Sequence, residues 1–143
     1  MVGAGVAIPA TIGSIDSATV ASAMTDASSA DNACKTFYAG VRSGVITTSS
    51  KYPDGTTVTA AAEKGASDED KQYAAKAATV YDSLRYSGLS NTIDVSQMVY
   101  LLKNNGTYSK GKILYAGDDK IKNLSLDDYA PLYLNTTLGE IYN

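Results

Sequence analysis

The sequence predicts an α+β fold in which one long N-terminal helix packs on a small antiparallel β-sheet, with short helices in the connecting region. Three observations predict it. Apolar and small residues recur at helical spacing over residues 5–41. Two capping patterns open helical segments in the middle of the chain. Short apolar runs separated by Gly- and Asp-containing turns fill the last third. With 143 residues, a single domain over 1–143 is expected. A chain of this size buries about two-thirds of its unfolded surface, so its core needs no covalent staple.

The first element is the helix of residues 1–41. The line Ile8, Ile12, Ile15, Thr19, Ala23, Ala27, Ala30, Cys34, Phe37, Val41 has a mean step of 3.67, close to the helical 3.6. Asp16, Asp26, Asp31 and Lys35 fall off this line and are expected on a solvated face. Alanine, the best helix former, is abundant. Gly44 and the Ser/Thr run after it stop the pattern. A helix of roughly 33–37 residues measures about 50–55 Å at 1.5 Å per residue. A globule of this length has a radius of gyration of only ~15 Å. One end is therefore expected to protrude or to meet something outside the chain.

Residues 1–15 carry no charge, and include three glycines and Pro9. A proline is tolerated in a first helical turn, or where the helix bends. Two readings of residues 1–8 stand: a frayed apolar terminus, or the last part of a longer apolar helix made to lie against other helices or lipid. The uncharged run is shorter than the ~20 apolar residues a bilayer span needs. It also lacks the basic first region of a signal peptide.

Residues 42–105 read as a variable connection. Lys51-Tyr52-Pro53-Asp54-Gly55 is a turn, with Pro fixing φ and Gly accepting positive φ, and a short strand is expected around residues 56–59. Ser67 caps a helix near 68–86, opened by Asp68, Glu69 and Asp70 and ended by Gly88. Asp94, with Gln97 three residues on, caps a short helix over 95–103. The competing reading of that stretch is a strand, because Met98-Val99-Tyr100-Leu101-Leu102 is a continuous apolar run; the cap favours the helix. Residues 106–143 read as the sheet region. Strands are expected at 112–116, 121–126, 132–134 and 138–142, in meander order, with Pro131 at a strand start or an edge.

The segment Gly5-Val6-Ala7-Ile8-Pro9-Ala10, followed by an alanine-rich amphipathic helix ending near Phe37-Tyr38, resembles the type IV pilins and pseudopilins. The resemblance covers residues 3–41. In that family an apolar helix carries an Ala-Ile-Pro element, and its surface-facing half packs on a small antiparallel sheet. The family's leader, its processed aromatic N-terminus and its early glutamate are missing, so the chain is expected to be a fragment of a longer precursor. Many pilins of Gram-negative bacteria close their C-terminal region with a disulfide. A single cysteine cannot do so, which points toward pilins of Gram-positive anaerobes or toward pseudopilins.

The resemblance implies a structural subunit of an extracellular type IV pilus-like filament. Its precursor would sit in the cytoplasmic membrane through the missing apolar helix, and its partners would be copies of itself. Val6, Ile8, Pro9, Ile12 and Ile15 are the expected assembly interface. The alternative is a minor pilin, or a secretion or competence pseudopilin, acting as an initiation or ligand-binding subunit.

Composition discourages other classes. The net charge of −3 argues against a nucleic-acid partner held by phosphate contacts. Histidine is absent, which removes the commonest general base and metal ligand, and no enzyme activity, cofactor or metal is expected. Cys34 lies on the apolar line as a small buried hydrophobe rather than a reactive thiol. Eleven tyrosines against one phenylalanine suit a shallow core finished with Tyr, with subunit contact or adhesion as the alternative use. Asp118-Asp119 and Asp127-Asp128 are read as solvated turns, a calcium loop being the alternative.

Overall fold

The computed structural model describes residues 17–121 and 124–143. They form an α+β structure with a long first helix and a three-stranded antiparallel sheet. Helix α1 runs Ser17–Ser43, 27 residues or about 40 Å. Its buried line is the predicted one from Ala27 onward: Ala27, Ala30, Cys34, Phe37 and Val41. It stops at Gly44, whose φ of +82° only glycine adopts easily, and Ile46 N–H donates back to Gly40 O at 3.0 Å.

The chain divides into two compact units. One holds the α1 residues up to Asp31 together with Asp94–Tyr133, and the other holds Asn32–Ile93 and Leu134–Asn143.

In the first unit, strand β1 (Met98–Leu101) lies between β2 (Ile113–Tyr115) and β3 (Tyr129–Pro131), with Val99 opposite both Leu114 and Pro131. Two expectations are corrected here. Residues 95–103 are not a helix, and the strands do not follow one another as a meander. The Asp94 cap is real: its Oδ1 accepts from Ser96 N–H at 2.9 Å. It supports only the single 3-10 turn Val95–Gln97. All four β1 residues are buried, and a strand covered on both faces reads as an unbroken apolar run. Burying four large side chains, at about 1.5–3 kcal/mol each, outweighs a cap of about 1 kcal/mol.

Val99, Leu101, Leu114 and Ile121 cluster on one face of this sheet with Tyr108, Leu124 and Tyr129. On the other, Ala23 and Ala27 of α1 line clefts with Met98, Ile113 and Tyr115. The arm expected over 121–126 is not a strand in its described residues; Ile121 closes the 3-10 turn Asp119–Ile121. Its partner role passes to Tyr129–Pro131, where Pro131 ends an edge strand and its missing N–H costs no ladder bond.

Asp31 corrects a further expectation. It is not solvated but 1 % exposed. Its Oδ1 accepts from the backbone N–H of Ile113 at 2.9 Å, and Lys112 Nζ lies 3.4 Å from Oδ2. The helix thus supplies an acceptor to a donor on an edge strand.

In the second unit, the helix predicted over 68–86 is two helices, α2 (Asp68–Ala77) and α3 (Val80–Tyr86). Ser67 caps α2 as expected, accepting from Asp70 N–H at 3.1 Å. The break falls at Ala78, which is extended at ψ 155°, and at Thr79, which opens a capping box with Asp82. The stretch expected as a strand over 138–142 is instead a helix, α4 (Leu138–Tyr142), opened by a second capping box of Thr137 and Glu140. The two caps pair with each other: Thr79 and Thr137 form an antiparallel bridge, Val80 N–H donates to Thr136 O and Leu138 N–H to Ala78 O. The ring of Phe37 meets Tyr86 at 5.4 Å, and that of Tyr38 meets Tyr142 at 5.0 Å. The Pro53 turn forms as predicted, with Gly55 at φ +89°, but its arms share only the isolated bridge Lys51–Thr57 and no strand.

Two stability outcomes follow from these contacts. Asp31→Ala strands the buried Ile113 donor and the partner of Lys112, and should cost about 3 kcal/mol in urea unfolding, while Asp31→Asn, which keeps an acceptor, should lose about half as much. A loss below about 0.5 kcal/mol for Asp31→Ala contradicts the anchor. Thr79→Ala and Thr137→Ala should each cost about 1 kcal/mol, and full helical continuity across Ala78 in Thr79→Ala, seen as new amide protection, would show that the cap is not what divides α2 from α3.

Candidate functional site

The predicted interface residues Val6, Ile8, Pro9, Ile12 and Ile15 lie outside the described residues. What is described is the stretch of α1 that leads from them. From Val20 to Asp26 no residue is buried: Val20, Ala23 and Asp26 are half-covered, and Ala21, Ser22, Met24 and Thr25 are exposed. Burial begins at Ala27. Within the described residues the apolar line read in the sequence is half-covered at Ala23 and buried from Ala27. No helix among the described residues is long and apolar enough to cross a membrane.

The acidic pairs have separate duties. Asp118 is 4 % exposed; its Oδ2 accepts from the Tyr108 hydroxyl at 2.9 Å and its Oδ1 from Lys120 N–H at 2.9 Å. Burial and that hydrogen bond both push the Tyr108 hydroxyl above its ordinary pKa. Asp128 accepts from Ser125 N–H at 3.3 Å and lies 3.5 Å from Lys103 Nζ. Among the described residues no group of three or more Cys, Asp or Glu side chains gathers as a metal site would require. Cys34 is fully buried and forms no disulfide.

The Pro53 turn is clamped from α3. Arg85 Nη2 lies 3.1 Å from Asp54 Oδ2 and 2.6 Å from Thr56 Oγ1, and its guanidinium sits 4.1 Å above the Tyr52 ring. Asp54 is held at a pKa of about 2, first by the Thr56 hydroxyl, then by Thr56 N–H, with Arg85 contributing less. None of these contacts was read from the sequence beyond the turn itself, because Arg85 reaches Asp54 across 31 residues.

A cleft of about 420 Å³ opens in the second unit. Residues 59–63 form one side and α2 the other, through Asp70, Tyr73, Ala74 and Ala77. Tyr73 is 76 % exposed. Two smaller clefts, of about 220 and 170 Å³, flank Tyr115 in the first unit. The Tyr115 hydroxyl is enclosed with no hydrogen-bond partner among the described residues, and burial raises its pKa.

No protein-family model, curated protein or solved structure matches this chain.

The clamp has a pH signature. The folded pKa of Asp54 is depressed, so its contribution to stability is fully present above the ordinary value of 3.8 and fades as pH falls toward about 2. A carboxyl-carbon NMR titration should place the Asp54 midpoint near 2, and Thr56→Val should raise it further than Arg85→Ala. The reverse order would show that the guanidinium, not the hydroxyl, sets the value.

Proposed function

We propose that this chain is the head and lower stem of a type IV pilus-like filament subunit, a pilin-like structural protein that works by polymerising on a cell surface. The observation that carries the reading lies along α1: the apolar spacing of the sequence continues through Ile15, Ile12 and Ile8, and among the described residues Val20–Asp26 none is buried. The pairing of a long helix with a small antiparallel sheet, tied at Asp31, is compatible with that family's plan. In the assembled filament residues 6–15 would lie against the same residues of neighbouring copies, hiding apolar surface at about 25 cal/mol per Å². The precursor would be membrane-held and the finished subunit extracellular.

A second reading, a minor pilin or pseudopilin that binds a ligand, is favoured by the open cleft beside Tyr73. Abundance separates the two, since a major subunit makes up the bulk of sheared surface filaments.

The decisive experiment is Ile12→Asp in the complete gene, in the cell that makes the protein. The chain should fall at least tenfold in the sheared surface fraction, while the purified chain unfolds within about 0.5 kcal/mol of wild type. Intact filaments that still contain the Ile12→Asp chain would overturn the reading. So would a loss of several kcal/mol in the purified chain, which would mean that the segment belongs to its own core.

A further inference from the structure

The cleft of about 220 Å³ in the first unit lies between α1 and the turn that leads into β1. Its floor is apolar, made of Ala23 from α1, Met98 from β1 and Tyr115 from β2. Met98 and Tyr115 stand directly opposite each other in the sheet, so their side chains share one face. Neither Ile113 nor Leu114 lines this cleft, so β2 reaches it through the Tyr115 side chain and not through its backbone. The tip of that side chain is the hydroxyl, buried with no hydrogen-bond partner among the described residues. Tyr115 is 1 % exposed, and an enclosed hydroxyl left unpaired carries the full cost of its lost water. A bound group that supplies the partner recovers that cost.

The rim is acidic. Asp26 comes from α1 and Asp94 from the turn before β1. Asp26 has no ion-pair or hydrogen-bond partner among the described residues. Asp94 uses Oδ1 to accept from Ser96 N–H at 2.9 Å, and its Oδ2 makes no bond to a described residue. Ser22 and Gln97 add a hydroxyl and a carboxamide, and among the described residues no lysine or arginine lines the cleft. Two carboxylates without a cation, above an apolar floor that ends on an unpaired hydroxyl, suit one kind of group. It carries positive charge, donates several hydrogen bonds and ends a short hydrocarbon stem. A bare calcium ion gathers about six to eight oxygens and would leave Ala23 and Met98 uncovered. A guanidinium is a planar fork suited to a single carboxylate, whereas the donors of an ammonium diverge and match acceptors on separate elements.

We propose that this cleft binds a primary alkylammonium group, with its nitrogen between Asp26 and Asp94, one N–H on the Tyr115 hydroxyl, and its carbon stem along Ala23 and Met98. The inference does not depend on the filament reading. Such a group has two sources, a free diamine or a lysine side chain of another protein chain, and both offer the same chemistry.

The test titrates the whole chain at low salt, by calorimetry and by NMR of tyrosine labelled with ¹³C at Cζ. Pentan-1-amine should bind saturably and shift the Tyr115 signal, while pentan-1-ol, which keeps the stem and lacks the charge, should bind about tenfold more weakly or worse. Asp26→Asn and Asp94→Asn should each lower the amine's affinity about tenfold. Tyr115→Phe gives a readout that a structural hydroxyl would not: the free chain should unfold at the same or a higher temperature, because an unpaired group is gone, while the affinity falls about fivefold. Pentane-1,5-diamine and Nα-acetyl-lysine N-methylamide separate the sources. Tighter binding of the diamine assigns the cleft to a free amine, and equal or tighter binding of the lysine derivative assigns it to a protein lysine. No saturable binding of any amine, binding that leaves the Tyr115 signal unmoved, or pentan-1-ol binding as tightly as the amine overturns the proposal. So does a lowered unfolding temperature of the free Tyr115→Phe chain, which would mean that the hydroxyl already has its partner.

Discussion

One carboxylate sets the terms on which α1 meets the sheet. Asp31 lies within the buried stripe of the helix, between Ala30 and Cys34, where an ionised group is costly unless it is hydrogen-bonded and paired. Both conditions are met at the edge strand β2. An edge strand turns alternate N–H groups away from the sheet, and a buried one must find an acceptor. Ile113 is fully buried, so the donor and the carboxylate satisfy each other. This fixes the helix in translation and rotation, since a turn either way would bury both groups unpaired. It also covers with a helix an edge that would otherwise be open to another strand.

Part of this was legible in the sequence. The spacing from Ala27 to Val41 named the buried face of α1 because periodicity and packing agree there. Asp31 escaped the same reading because charge is taken as a mark of solvent, although the residue stands four after Ala27 and three before Cys34. The acids of the 420 Å³ cleft and Tyr73 were readable as types, but their neighbours at 59–62 are brought to them only by the fold. Met98–Leu101 turned on a contest that local rules cannot settle. The cap at Asp94 is a nearest-neighbour signal, and it was obeyed for one turn; β2 and β3 are remote in sequence, and their burial of the run decided the rest. The break at Ala78 and the helix at Leu138 had visible signals, Thr-x-x-Asp at 79–82 and Thr-x-x-Glu at 137–140. Apolar spacing drew attention away from both, and their pairing through Thr79 and Thr137 is nonlocal.

The tyrosines show how this chain builds a core with one phenylalanine and no tryptophan. Tyr52, Tyr100 and Tyr115 are buried as rings, while Tyr108 keeps its hydroxyl on Asp118. Tyr52 also serves as the platform on which Arg85 lies while it reaches Asp54, so one ring both fills space and orients a cation. Tyr73 and Tyr133, at 76 % and 60 % exposed, do not belong to that economy of packing. Large aromatic faces left open are common at recognition surfaces, where they add area at low entropic cost.

A magnitude constrains how the proposed assembly interface could be used. Burying Val6, Ile8, Ile12 and Ile15 against partners would contribute about 6–12 kcal/mol, at roughly 1.5–3 kcal/mol per side chain. Bringing two molecules together costs an estimated 4–15 kcal/mol in lost translation and rotation. One helix against one other, covering half of each side chain, therefore falls short or barely breaks even. Contact with several neighbours at once changes the balance, because the entropic cost of fixing a subunit is met once while each further face adds burial. On the proposed filament reading, an apolar segment of this kind would serve poorly for dimerisation and better for building a lattice.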